Sequence, residues 1–297
     1  MRHRVLAAAA FVTLILAPAS AHAWGYAGHR YIMGRAIDLL PPLLKPFFEH
    51  YRAEMVVRAI DPDLWRQVGW EDDPNHFFDL GAPEFGAAPA FGGVPRDYNA
   101  ALEAFGPASM RRLGMLPWRA AEIFGDLRRA FDGFARQAPY APPDVAFFAP
   151  VLGHYFQDAN QPLHATNNYD GQLTRNEGIH ARFERDLVER YLAKMTITPG
   201  PIRPMPNARD AAFDAVLAAN RQVEAILAAD TAAIAGRDAY DDVYFDKLFA
   251  QVKPILEQQL AASITDTASV IVSAWVQAGR PALTLDGARP VQKVKKP

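Results

Sequence analysis

Apolar residues recur every three or four positions along most of this chain, the spacing that turns one face of an α-helix toward a core, and no stretch alternates convincingly enough to make a strand of any length. An all-α fold, built as a single multi-helix domain, is therefore predicted. The first helix should cover 26–40 and stop at Pro41 and Pro42, and a second should run over 43–57. The segment 61–107 is rich in Gly, Pro and Asp and reads as a loop. Further helices are predicted over 107–137 with a break near Pro117, over 143–159, from Ile179 onward, over 208–233 and over 241–278. Pro143 and Asp144 suit the first turn of the 143–159 helix, where a missing N–H costs nothing and negative charge is favoured.

Both ends depart from this pattern. Residues 1–23 combine Arg2 and Arg4, an apolar run from Val5 to Pro18, and the small-residue pattern Ala21, His22, Ala23, which are the parts of a signal peptide cleaved before Trp24. The run is shorter than the ~20 apolar residues a spanning helix needs. An exported protein, secreted or periplasmic, is expected, with no transmembrane segment after processing. The working domain is then 24–279, and 280–297, which turns to Pro, Gly and Lys and closes with Lys293, Lys295 and Lys296, is expected to be a disordered tail; attraction of its lysines to a membrane is the alternative.

Composition changes this picture in two ways. The 297-residue chain has no cysteine, so an exported domain of this size must be held by core burial and bound metal rather than by disulfides. Removing Arg2 and Arg4 takes the formal charge from −2 to −4. No global basic field advertises nucleic-acid binding, although bound cations would add positive charge locally. No stable protein partner is implied.

The candidate chemistry lies in the histidines. Of the eight, His3 and His22 fall in the leader, and five of the remaining six join three carboxylates in a spaced series: His29, Asp63, His76, His154, Asp158, His164, His180 and Glu184. His154 and Asp158 are four apart, as are His180 and Glu184, which puts each pair on one helix face and lets it grip one ion. Imidazole and carboxylate suit zinc, and no thiolate competes. Asp61 is the alternative to Asp63, since both precede His76 at workable distances. His50 lies outside the series and reads as a helix-end residue. The loop 167–178, beginning at Asn167, is placed to line a substrate cleft.

Four segments carry a family resemblance: WGYAGH (24–29), HFFD (76–79), HYFQDANQPLH (154–164) and HARFE (180–184). Together they resemble the superfamily of zinc-dependent phospholipases C and single-strand-specific zinc nucleases, over most of the mature chain. The resemblance implies an all-α fold with a trinuclear zinc site at the base of a cleft. One Zn2+ would take Asp63, His76, His154 and Asp158, a second the free amine and carbonyl of Trp24 with His29 and Asp158, and a third His164, His180 and Glu184. Asp158 would bridge two ions, and metal-activated water would replace a serine or cysteine nucleophile. Asp63 is also placed to orient or deprotonate that water, and Arg66 to clamp a phosphate oxygen. Phe77 and Asp79 are candidates to meet a base or head group. The substrate is expected to be a phosphodiester, either phospholipid or single-stranded nucleic acid. The DANQPLHATN segment (158–167), the short gap to His180, Glu184 and the missing cysteines favour the phospholipase side. The spacing of Trp24 and His29, and of Asp63 and Arg66, resembles the nucleases. No lipid-binding β-domain follows the helices, so a scavenging enzyme is expected rather than a membrane-attacking toxin. A zinc-binding protein without catalysis is the remaining alternative.

Overall fold

Prolines and capping side chains set most of the α-helix starts. The computed structural model describes residues 24–88 and 91–285; the expected leader, 1–23, lies outside the described residues, as does the expected tail, 280–297, beyond residue 285. The first helix, α1 (Gly25–Leu39), ends before Pro41 as predicted. The predicted 43–57 helix is instead two, α2 (Lys45–His50) and α3 (Arg52–Arg58), which meet at Tyr51. There the backbone leaves helical geometry and the Tyr51 ring packs on Phe47 at 4.8 Å.

The 61–107 segment is not the continuous loop its composition suggests. Within it α4 (Asp61–Gln67) forms because Pro62 and two acids occupy the first turn, where unsatisfied backbone N–H groups welcome negative charge. A further helix, α5 (Tyr98–Leu113), starts at Asp97, whose carboxylate accepts from the Ala100 N–H at 3.0 Å. It kinks where Gly106, at φ 71°, precedes Pro107. The same Pro and Asp residues that read as loop formers act here as helix starters.

The remaining helices follow the prediction more closely, except that the predicted 208–233 helix is two, parted at Arg221 and Gln222. They are α6 (Leu116–Ala135), α7 (Ala141–Ala159), α8 (Ile179–Ala181), α9 (Leu187–Tyr191), α10 (Ala208–Asn220), α11 (Val223–Ile234) and α12 (Asp242–Gln277). A π-helical turn, Arg182–Asp186, joins α8 to α9. Asp241 caps α12 by accepting from the Tyr244 N–H at 2.9 Å. Among the described residues there is no strand, and no helix is long and apolar enough to cross a membrane.

One helix organises the domain. α7 packs against α6 and α12, with α1, α3 and α10 on its other sides, and every residue over 149–159 is buried. A helix covered all round should be apolar unless its polar side chains find partners. Yet α7 buries His154, Gln157 and Asp158 completely. The non-helical strap after His76 is anchored by Phe78, which stacks on Phe85 at 4.7 Å and meets Phe213 edge-on at 5.4 Å. Its backbone is tied to the turn after α7, since the Phe78 N–H donates to the His164 carbonyl and the Asn167 N–H to that of Leu80, each at 2.8 Å.

Candidate metal centre

All eight residues of the spaced series converge under the surface. His29 comes from α1, Asp63 from the first turn of α4, and His76 from the end of a 3-10 turn, Asp73–His76. His154 and Asp158 come from α7, and His164 from a second 3-10 turn, Pro162–His164. His180 lies on α8 and Glu184 on the π-helical turn. None of the eight is more than 5% exposed. Three ligand groups result: His29, His154 and Asp158; Asp63, His76 and His154; and His164, His180 and Glu184, each with its ligand atoms within 4.8 Å of one another. His154 thus stands between the first two groups.

The histidines are held from behind. His76 donates through Nε2 to Asp72 Oδ2 at 3.0 Å, and His154 through Nδ1 to the Ala59 carbonyl at 2.8 Å. His164 uses Nδ1 toward the His76 carbonyl at 2.6 Å, and His180 uses Nδ1 toward that of Tyr169 at 3.1 Å. His29 Nδ1 lies 2.5 Å from Gln157 Oε1. With each N–H turned outward, the inner nitrogens present lone pairs to one another and to carboxylates. His76 Nδ1 is 3.1 Å from His154 Nε2, and His164 Nε2 is 3.2 Å from His180 Nε2. Acceptors that face acceptors need a cation or a proton between them. Outward donation by ligating histidines is also the usual second layer of a metal site.

Unsatisfied atoms point the same way. His29 Nε2, both oxygens of Asp63, Asp158 Oδ1 and Glu184 Oε1 are buried without a hydrogen-bond partner. Buried polar groups are rarely left so. The residues present therefore fit bound metal ions, of the kind that imidazole and carboxylate together bind.

No family model matches this chain, and no curated protein matches it. The site is read from its own geometry.

Burial and neighbouring charges shift the ionisable groups of the cluster in opposite directions. Burial opposes ionisation of Asp158, but the charges of His154 and His164 outweigh it and keep this carboxylate well below its usual range. Glu184 behaves likewise, brought down to about 2 against burial by His180 and His164. Burial would lower His76, yet hydrogen bonds to Asp158 and Asp72 push it up to about 9. His29 goes the other way, to about 4, because burial and the neighbouring His154 disfavour its charge.

The structure separates Asp61 from Asp63. Asp63 is fully buried, its oxygens 4.0 Å from His29 Nε2 and 3.8 Å from His76 Nδ1. Asp61 turns outward to Arg58 at 3.1 Å. Arg66 lies beside the centre, 3.9 Å from Asp63 and 3.4 Å from Asp73. Phe77 and Asp79 sit half-buried on the strap, where burial, partly offset by Arg112, pushes Asp79 up to about 7. Gly114 makes room for this strap, since a Cβ there would stand 2.1 Å from the Phe77 carbonyl oxygen. Asn167 packs its Oδ1 against Gly81 of the same strap. Trp24 is fully buried, and its indole N–H donates to the Gln157 carbonyl at 2.8 Å.

Three supporting residues escaped the sequence reading. Asp72 accepts from His76 and from the Tyr155 hydroxyl at 2.8 Å, and Gln161 donates to Glu184 at 2.8 Å. Gln157 is the third. Asp72 stands four residues before His76, the spacing that singled out the other pairs, and was there to be found. One groove of about 450 Å3, lined by Trp65, Trp70, Asn75 and Arg119, reaches Asp72.

The third ligand group is expected to behave as a separate site. His180→Ala and Glu184→Ala should each release about one ion per chain and leave the other ligands loaded. Elemental analysis of the folded variants checks this, and loss of all metal from either would contradict a separate third ion.

Proposed function

We propose that this chain is an exported zinc-dependent hydrolase of phosphodiester bonds that acts preferentially on phospholipid head groups. The reading is carried by the divided use of Asp158. Its Oδ1 faces His29 at 3.5 Å, while its Oδ2 faces His76 at 3.0 Å and His154 at 3.2 Å. A carboxylate whose two oxygens serve two adjacent ligand groups suits a paired-ion site of the kind that cleaves phosphodiesters. Trp24, His29 and Asp158 would hold one ion; Asp63, His76, His154 and Asp158 the second; His164, His180 and Glu184 the third. Zinc bound there supplies a Lewis acid and a water acidic enough to react near neutral pH. Asp63, with both oxygens unpartnered, is placed to orient or deprotonate water, and Arg66 beside it to bind a phosphate oxygen.

Leu64, Val68 and Trp70 support the lipid preference. They are exposed and follow Asp63 along α4 and its exit turn, and such side chains partition well into a bilayer interface. Trp70 also supports the second reading, a single-strand nuclease, because an exposed indole can stack a base. Zinc-loaded protein assayed in parallel on phosphatidylcholine, single-stranded DNA and RNA is expected to hydrolyse the lipid fastest. Faster cleavage of nucleic acid would favour the nuclease. No hydrolysis of any of the three would leave a zinc-binding protein without catalysis.

Activity is further expected to need a free Trp24 amine, whose ordinary pKa of about 7.7 to 8.0 lets it lose a proton to a nearby ion. Protein starting at Trp24 should hold one more zinc, and turn over faster, than the same protein with two residues added before it. Equal zinc and equal activity in both would remove the amine from the ligand set.

A further inference from the structure

Gln157 belongs to none of the three ligand groups, yet it is wholly buried between α1 and α7. Its two halves do different work. The backbone carbonyl accepts the Trp24 indole N–H and so ties the start of α1 to α7. The side-chain Oε1 lies 2.5 Å from His29 Nδ1. The amide Nε2 is buried without a hydrogen-bond partner beside Gly153, where a Cβ would stand 3.4 Å from it.

We infer that Gln157 is a positioning residue that fixes the tautomer of His29 and thereby sets the metal affinity of the site His29 shares with Asp158. The inference rests on the metal reading above. A neutral imidazole carries one N–H. With that N–H on Nδ1 and donated to Gln157, the Nε2 lone pair meets Asp158 Oδ1 at 3.5 Å and Asp63 Oδ2 at 4.0 Å. Three acceptors then converge, and a cation relieves them. With the N–H on Nε2, the ring would instead turn a donor toward these carboxylates and offer a cation no lone pair there. With its Oε1, rather than its NH2, turned to Nδ1, the Gln157 amide selects the first arrangement while adding no charge beside Asp63 and Asp158.

The test uses the mature protein and two substitutions that leave the backbone bond to Trp24 in place. Gln157→Met keeps the length and removes the strong acceptor, whereas Gln157→Glu keeps an acceptor. Zn2+ affinity is measured against a competing chelator, Co2+ is titrated by its visible spectrum, and far-UV circular dichroism monitors the fold. Gln157→Met is expected to weaken one ion by about 10- to 100-fold, as loss of an outer-layer partner does elsewhere, and to change the cobalt spectrum. Gln157→Glu should stay within a few-fold of wild type, and this arm stands even where the methionine variant does not fold. In a His29→Ala background, Gln157→Met should cost nothing further. Native affinity for every ion in folded Gln157→Met, or a loss in Gln157→Glu as large as that of His29→Ala, would overturn the assignment alone. A wild-type protein that bound neither Zn2+ nor Co2+ would overturn the metal reading and this assignment with it.

Discussion

Asp158→Asn is expected to reduce phosphodiester hydrolysis by about 10^3-fold or more and to cost the protein two ions while leaving its helices in place. A bound metal contributes several kcal/mol of transition-state stabilisation, and each 1.36 kcal/mol is about tenfold in rate. The substitution is nearly isosteric, so the packing of α7 should survive it. What changes is the sign of one side of the group. The carboxylate presents an acceptor to His29 and another to His76 and His154, whereas an amide must present its NH2 to one of them. That donor satisfies a ring nitrogen directly and leaves a cation no ligand there. Circular dichroism, zinc content and turnover, measured on one preparation, decide the matter. A folded, zinc-loaded Asp158→Asn protein of near-normal activity would remove the paired-ion reading.

Stripping the metal should lower the melting temperature, and the gap between loaded and stripped protein should widen as pH rises from 6.5 toward 9. An ion present at 100 times its dissociation constant stabilises by about 2.7 kcal/mol. In a domain of this size each kcal/mol moves the midpoint by about 2–4 °C, so each ion is expected to add about 5–10 °C. The pH dependence follows from His76, which titrates near 6.5 when unfolded and at about 9 in the folded, metal-free protein. Its protonated form stabilises the stripped protein fully below 6.5, and that contribution is lost as pH rises through 9. His180, also raised, acts in the same direction. His29, lowered to about 4, is neutral in both states above 6.5 and adds nothing there. Metal meanwhile binds more tightly as the protons leave. Scanning calorimetry with and without chelator across this range is the measurement, and a gap that narrows as pH rises would contradict the assignment of these histidines as ligands.

The i, i+4 pairs were legible because a helix forces them onto one face whatever it packs against. His154 with Asp158 and His180 with Glu184 do converge, the second across a π-helical turn that no spacing argument indicated. α4 was not legible, because Asp61, Pro62 and Asp63 have the composition of a loop and the physics of a helix start. That same helix resolves the choice between the two aspartates. Residues two apart on a helix point in nearly opposite directions, so Asp63 faces the cluster while Asp61 faces Arg58.

By itself, the sequence determined the all-α class, the limits of α1, α7 and α12 and the residue types gathered at the centre, since periodicity, proline and short-range spacing act within a few residues. Tertiary structure decided how those residues are shared and oriented. His154 lies between two ligand groups only because α1, α4 and the turn bearing His76 all meet α7. The outward partners that orient the rings are remote as well: Gln157 is 128 positions from His29, and the Ala59 carbonyl 95 from His154. A ring's tautomer depends on a hydrogen bond of well-defined length and direction, and no local pattern in the chain encodes a bond that exists only once distant helices have packed.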